Sequence, residues 1–217
     1  MQNPVKKYHR VRLERLGEAL ETNNFDVFMA ADAADARSIV LECIFPATEA
    51  KSVSWGGSMT LGATGLVDDF HQMASVQVVD PYKKDLSDAQ KLELRRQALL
   101  VDLYFTGCNA MTQDGRLVNL DMIGNRVAAL TFGPRYVVVL VGVNKLVADL
   151  DDAMWRVKEF AAPANAMRLD MKTPCARTSV CEQCKSPQRI CNAWTITEKS
   201  FPKGRIKVVL INQVLGL

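Results

Sequence analysis

The residues with the clearest chemical potential are four cysteines in the stretch TPCARTSVCEQCKSPQRIC. They are Cys175, Cys181, Cys184 and Cys191. Two cysteines that are separated by two residues in a turn, as the middle pair is, can reach the same metal atom or cluster. The outer two can complete the set of ligands from the flanking loop. Four thiols this close together indicate an iron–sulfur cluster, a zinc site, disulfides or redox-active thiols.

The unequal spacing of these cysteines favours an iron–sulfur cluster. Five residues separate the first two cysteines, two residues the middle pair and six residues the last two. Zinc sites with four cysteines usually contain two closely spaced pairs, and here only one pair is close. The irons of a [4Fe–4S] cluster lie at separate corners, so wider spacings suit it. The sequence predicts a [4Fe–4S] cluster, with zinc and free or regulatory thiols as alternatives.

The remaining composition predicts a globular protein of the cytoplasm. The chain has 217 residues, of which 48% are hydrophobic, enough for one substantial core. No apolar run reaches the roughly 18 to 20 residues that span a bilayer. The first twenty residues, MQNPVKKYHRVRLERLGEAL, carry charges where a secretory signal has its apolar segment. Disulfides are rare in the cytoplasm, so they are the least favoured use of the four cysteines.

Positive charge is concentrated toward the C-terminus. From Lys172 onward eight basic residues face two acidic ones, so this segment carries +6, and the rest of the chain carries −3. Basic residues without interleaved aromatic side chains are a weak indication of nucleic-acid binding, and we expect no nucleic-acid partner. Four thiolates around a metal centre leave net negative charge, which nearby Arg and Lys side chains would offset.

Three stretches, SWGGSMT, FTGCNAMTQDG and LVNLDMIGNRV, have the composition of a ligand site. A glycine turn after a strand exposes backbone N–H groups that can hold a phosphate or carboxylate. Sheets of α/β proteins bind ligands at the carboxyl ends of their strands, where these stretches are expected to lie. The sequence predicts a site for a small anionic organic ligand, formed by Gly56, Gly57, Ser58, Thr60, Thr106, Gly107, Asn109, Asn119, Asn125 and Arg126.

Two carboxylates in the same stretches, Asp114 and Asp121, are the candidate catalytic residues, since either could accept or donate a proton. Arg126 supplies the guanidinium suited to the anion. Cys43, in the apolar run IVLECIF, is expected in the core. The sequence contains no Ser-His-Asp order, Walker loop or HExxH motif.

The alternation of strand-like and helix-like stretches predicts an α/β fold with a mostly parallel sheet flanked by helices. The uninterrupted run YVVVLVG is typical of a strand that is covered on both faces. An apparent turn at QDG, followed by RLVNLD, adds antiparallel character. No linker divides the chain, so we expect a single domain over residues 1–217. Residues 172–192 are predicted to form a cysteine-rich insertion, a loop before the last strand.

The stretch TGCNAMTQDGRLVNLDMIGNRVAALTFGPRYVVVLVGVNKLVADLDDAMWRV resembles the core of the lactate-utilisation (LUD) domain family. The cysteine segment and the closing GRIKVVLINQVLGL resemble one branch of that family. The resemblance implies the fold shared by ribose-5-phosphate isomerase, the CoA transferases and 5-formyltetrahydrofolate cyclo-ligase. Relatives in lactate operons are similar to a subunit of an iron–sulfur lactate-oxidising system, which implies a cluster and a lactate-like organic acid.

Three functions follow as hypotheses. The favoured one is a redox-associated subunit or oxidoreductase, which acts on a small organic acid and passes electrons through the cysteine site to a redox partner protein. The second is a ligand-binding or regulatory module with a structural zinc or free thiols. The third, from fold analogy alone, is an isomerase or transferase that acts on a phosphorylated or CoA-linked substrate.

Overall fold

The structure, a computed structural model, describes residues 4–217, which form two sheets and the helices around them. The strands are β1 (Asp26–Ala30), β2 (Ser52–Trp55), β3 (Gln77–Val79), β4 (Leu103–Gly107), β5 (Ala110–Thr112), β6 (Leu117–Asp121), β7 (Tyr136–Gly142), β8 (Leu146–Val147), β9 (Ala193–Thr197) and β10 (Ile206–Ile211). The α-helices are α1 (Pro4–Thr22), α2 (Ala33–Ile39), α3 (Phe45–Thr48), α4 (Met59–Gly62), α5 (Leu66–Gln72), α6 (Asp88–Gln97), α7 (Asn125–Thr131), α8 (Leu150–Arg156), α9 (Ala162–Arg168) and α10 (Cys175–Thr178).

The larger sheet has six strands in the order β1-β10-β7-β4-β2-β3, and all of its pairings are parallel. Its central strand β7 contains the run Val137–Val141, in which every residue is fully buried. Such a strand must be covered on both faces, because apolar side chains alternate from one face to the other. The predicted parallel sheet flanked by helices is confirmed.

Helices pack on both faces of this sheet. Helix α1 places Leu13, Leu16 and Leu20 against one face, at the spacing of three and four residues that aligns side chains along one side of a helix. The other face is covered by α2, its π-helical continuation Val40–Ile44, and α5. The sheet therefore divides the core into two layers.

The second sheet has four strands in the order β8-β5-β6-β9. The predicted turn at QDG is present, and it joins β5 and β6 as an antiparallel pair. The hairpin then pairs with β9, which the sequence analysis did not predict. The cysteine-rich residues 172–192 consequently precede β9 rather than the last strand β10, and they include the short helix α10.

Cys43 is exposed, so the prediction that it lies in the core is wrong. It belongs to the π-helical turn, in which Val40 and Ile44 are buried against the sheet and Leu41 packs partly against the same core. In a helix, residues four positions apart, such as Val40 and Ile44, share a face. Cys43, one position before Ile44, points away from that face.

None of the helices within residues 4–217 combines the length and the apolar composition that crossing a bilayer requires.

The parallel arrangement places the carboxyl ends of β2, β4 and β7 side by side. The loops that follow these strands are Gly56–Ser58, Cys108–Asn109 and the 3₁₀ turn Val143–Lys145. This edge is where open α/β sheets bind ligands.

Candidate functional site

The predicted glycine turns after β2 and β4 are in contact. The backbone N–H of Gly56 donates to the carbonyl of Phe105 over 2.9 Å. A methyl group added at Gly107 would lie 2.7 Å from Oγ of Ser58. The structure therefore brings together two of the three stretches that the sequence assigned to one site.

Gly56 has no room for a side chain. A Cβ at this position would lie 2.9 Å from the phenol oxygen of Tyr104 and 3.0 Å from Cγ of Arg126.

We expect Gly56→Ala to lower the free energy of unfolding by roughly 1 to 3 kcal/mol, because the added methyl overpacks a buried contact. Urea denaturation of the wild type and the variant measures this change in the free energy of unfolding. Gly62→Ala is the matched control: a Cβ there meets nothing within 4 Å, so stability should stay equal or rise slightly. Equal effects of the two substitutions would contradict the contact.

Arg126 connects the third predicted stretch to the other two. The residue is 8% exposed. Four of the five guanidinium N–H groups donate to protein acceptors, which are the Gly107 carbonyl (3.3 Å), Asn119 Oδ1 (2.7 Å), Asn109 Oδ1 (2.9 Å) and the Leu120 carbonyl (3.1 Å). Direct binding of an anion, the predicted role, would have to use the remaining Nε–H or break these bonds. The geometry favours a positioning role instead.

The two candidate catalytic carboxylates lie at opposite ends of the β5–β6 hairpin. Asp121 ends β6, and its side chain accepts from the backbone N–H of Arg126 (3.0 Å) and lies 3.5 Å from Nε. Asp114 is in the turn, where it accepts from the hydroxyl of Thr112 and pairs with Arg116 (3.2 Å) in contact with solvent. Strand β6 separates them by about 13 Å. Only Asp121 belongs to the site around Arg126.

The remaining predicted ligand residues are bonded within the protein. The hydroxyl of Thr60 donates to the carbonyl of Leu215 (3.2 Å), and that of Thr106 donates to the carbonyl of Gly107 (3.1 Å). Both threonines are buried. The side chain of Asn125 hydrogen-bonds with the phenol of a tyrosine on β4. These groups hold the loops in place.

Two tyrosines that the sequence analysis did not identify lie at the glycine turn. Tyr104, on β4, is 1% exposed, and burial raises the pKa of its phenol. Tyr82 is 42% exposed and lies next to Gly57, with its phenol oxygen 3.3 Å from a Cβ placed there, and partial burial also raises its pKa. Both phenols therefore stay protonated at neutral pH and can donate hydrogen bonds. In the sequence Tyr104 is indistinguishable from other apolar residues of a buried strand.

The four cysteines of the C-terminal segment line one cavity. Its other lining residues include Thr173, Arg189 and Ile190, with Lys158, Ala162 and Pro163 from the neighbouring helices. All four thiols are partly buried and none forms a disulfide. Cys175, Cys181, Cys184 and Cys191 therefore lie around the same cavity, and their predicted role as one set of ligands stays a prediction.

Hydrogen bonds hold the backbone of the cysteine segment in shape. Arg189 donates to the carbonyl of Cys184 through Nη1 (2.9 Å) and to that of Cys191 through Nε (2.9 Å). The two ends of the segment are joined because the backbone N–H of Lys172 donates to Gln188 (2.8 Å). One arginine thus fixes two of the four cysteines relative to each other.

The cysteine segment adjoins the site around Arg126. The backbone N–H of Asn192, directly after the last cysteine, donates to the carbonyl of Asp121 (2.9 Å). The side chain of Asn192 donates to the carbonyl of Met122 (3.0 Å). The sequence placed these two sites separately, and the pairing of β6 with β9 brings them together.

The four cysteine side chains at the cavity are suitable ligands for an iron–sulfur cluster or zinc, because both bind thiolates. Across residues 4–217, however, no three His, Cys, Asp or Glu side chains are already gathered around a single point as metal ligands. Binding would therefore require the thiols to move together within the segment.

Comparison with known proteins identifies the family. A sequence model of the LUD domain matches residues 13–211. A DUF162 family protein from Deinococcus radiodurans, known from its crystal structure, shares the fold with a TM-score of 0.52 at 14% identity, over 94% of this chain and 98% of that chain. No curated protein is significantly similar to the chain. Because the matched region spans most of its length, the chain belongs to the LUD domain family.

Proposed function

We propose that the chain is a redox-associated subunit or oxidoreductase that binds a small, lactate-like organic acid beside a [4Fe–4S] cluster. The observation that carries this proposal is that the two sites adjoin. Cys191 lines the cysteine cavity, and the backbone N–H of the next residue, Asn192, donates to the carbonyl of Asp121 at the end of β6. A cluster next to the ligand could take up the two electrons of a hydroxy-acid oxidation one at a time and pass each to a redox partner protein.

The four cysteines of the C-terminal segment would hold the cluster. They are Cys175, Cys181, Cys184 and Cys191. A bound cluster would supply one-electron transfer. Four thiolates make such a centre negative, and the positive charges of Arg189 and Lys158 at the cavity would offset part of that charge, although Glu182 at the same cavity adds one negative charge. Because the thiols are only partly buried, a redox partner protein could approach the segment.

The organic acid would bind at the carboxyl ends of β2 and β4. The protonated phenols of Tyr82 and Tyr104 lie beside Gly56 and Gly57 at this point and would be the donors, because the backbone N–H of Gly56 is already bonded to the carbonyl of Phe105. Asp121 would accept a proton from the ligand and become neutral, and its contact with Arg126 would stabilise the charged carboxylate before that transfer and again once the proton has left to solvent.

Anaerobic purification followed by iron, sulfide and zinc analysis tests the proposal. We expect about four iron and four sulfide per chain, with broad visible absorbance that dithionite bleaches. A colourless protein with stoichiometric zinc would overturn the redox role and support a ligand-binding module with a structural metal. A metal-free protein that reconstitutes with neither metal would leave the cysteines as free thiols and would contradict both.

A further inference from the structure

Lys145 is a buried cation without an acidic partner. It ends the 3₁₀ turn that follows β7 and is 3% exposed. In the part of the chain that the structure describes, its ammonium group takes part in no hydrogen bond and no ion pair. Although Nζ itself is not fully enclosed, an ammonium group that loses most of its hydration without gaining a partner is costly, so a completed site should contain something that compensates for it.

The charged groups near Lys145 are also positive. Burial, followed by the guanidinium of Arg156 on α8 and that of Arg126 on α7, lowers the pKa of Lys145 to about 8. The carboxylate of Asp121 lies 3.5 Å from Nε of Arg126 and balances that guanidinium. The thiol of Cys108 also acts on Lys145 and Arg156, but burial raises its pKa and it donates to the carbonyl of Ala110 (2.8 Å), so it is neutral. Among the described residues, Lys145 and Arg156 therefore have no carboxylate partner.

A second buried donor in this region is also unused. Asn119 is fully buried, and its Oδ1 accepts from the backbone N–H of Asn109 (3.3 Å), but its Nδ2 has no hydrogen-bond partner among residues 4–217. The carbonyl of Asn109 accepts from Arg156 (2.6 Å), which also donates to the carbonyl of Asn144 (3.0 Å), next to Lys145. This network runs from the side chain of Asn119 to the backbone of Asn144, the residue before Lys145. Arg126, which donates to Asn119 Oδ1, is also close enough for its charge to act on Lys145.

We propose that Lys145 and Nδ2 of Asn119 form an oxyanion-binding subsite at the carboxyl end of β7. The carboxylate or phosphate group of a ligand would neutralise the ammonium and accept the free amide hydrogen. Its position, beside the end of β4, fits the edge at which such sheets bind ligands. The inference rests on the ligand half of the proposed function and is independent of whether the cysteines hold a cluster.

Calorimetric titration at pH 7 with pyruvate, lactate and inorganic phosphate tests the subsite. We expect at least one of the three to bind the wild type, and Lys145→Met to bind it about tenfold to a hundredfold more weakly. Lys199→Met, which changes an exposed lysine, should bind as the wild type does. Binding of lactate or pyruvate alone would assign a carboxylate, and binding of phosphate alone would assign a phosphorylated ligand. Unaltered binding by Lys145→Met, or no binding by the wild type, would overturn the proposal.

Stability without ligand separates this role from a structural one. At pH 7 Lys145→Met should be at least as stable as the wild type, because it removes a buried, unpaired charge. The wild type should gain on the variant between about pH 8 and 10.5, since there the unfolded lysine holds a proton that the folded one has lost. Thermal unfolding across this range measures the difference. A variant that is strongly destabilised at pH 7 would show that Lys145 supports the fold, and the subsite would be rejected.

The iron and sulfide content of the same preparations keeps the two proposals apart. A metal-free protein that still loses anion binding with Lys145→Met would support the subsite while contradicting the cluster. If the protein contains a full cluster and Lys145→Met binds the anions as the wild type does, the cluster is supported and the subsite is contradicted.

Discussion

Arg126→Ala should lower the free energy of unfolding by about 3 to 5 kcal/mol, the range for removing one partner of a buried charged network. The guanidinium satisfies two asparagine oxygens and two backbone carbonyls, and it lies beside the carboxylate of Asp121. Alanine would remove four buried hydrogen bonds and the cationic neighbour of Asp121, although the two asparagine oxygens and the Gly107 carbonyl would each keep one other donor. Urea denaturation should show a lower midpoint with an unchanged slope, because the folded state stays compact.

Two further variants give this prediction its controls. Arg135→Ala removes another arginine–aspartate pair, with Asp102 at 3.4 Å, but that arginine is 80% exposed, so the change should be at most about 1 kcal/mol. Arg126→Lys keeps the charge but cannot donate in the directions that the planar guanidinium serves, and most of the loss should remain. A stable Arg126→Ala protein that no longer binds any organic acid would instead make Arg126 a direct ligand, as its position in the sequence first suggested.

The architecture of the larger sheet could be predicted because its signals are local. The run Val137–Val141 is long enough and apolar enough to indicate a strand covered on both faces, and it is the centre of the sheet. The periodic leucines of α1 likewise identify its buried side. Neither inference requires knowledge of which distant segment packs against the element.

The second sheet could not be predicted because its pairing is not local. Strand β9 contains Trp194 and Ile196 among threonines and alanine, a composition that also fits a loop. It becomes a strand by pairing with β6, more than seventy residues earlier in the chain. This pairing also brings the cysteine segment to Asp121, so the link between the two sites was beyond reach of the sequence.

The sequence predicted which residues lie at the candidate site better than it predicted which groups they bond to. The sequence indicated correctly that Asn109, Asn119 and Arg126 belong near the glycine turns, but it gave no sign that they bond mainly to one another. Lys145 was not identified at all. Its only signal is one charged residue in the apolar stretch VGVNKLV, and whether such a lysine is buried or extends to solvent depends on the helices packed around it.

Cys184→Ser should abolish most of the iron, sulfide and visible absorbance of the anaerobically purified protein. A serine hydroxyl is not a thiolate, so the site would lose one of its four soft ligands. Iron and sulfide analysis measures the effect directly. Cys43→Ser is the matched control, because Cys43 is exposed and does not line the cavity, and its metal content should equal that of the wild type.

Arg189→Ala extends this test from the thiols to the residue that arranges them. The variant keeps all four cysteines but loses the hydrogen bonds to the carbonyls of Cys184 and Cys191. Groups that orient metal ligands typically contribute about tenfold to a hundredfold in metal affinity, so we expect partial iron loading and faster loss to a chelator. Full loading and wild-type retention in Arg189→Ala, or equal iron loss in the Cys184 and Cys43 variants, would mean that this segment is not the site. Metal loss in Cys184→Ser together with the graded loss in Arg189→Ala would assign the cluster to this cavity, with its position beside Asp121 set by the pairing of β6 and β9.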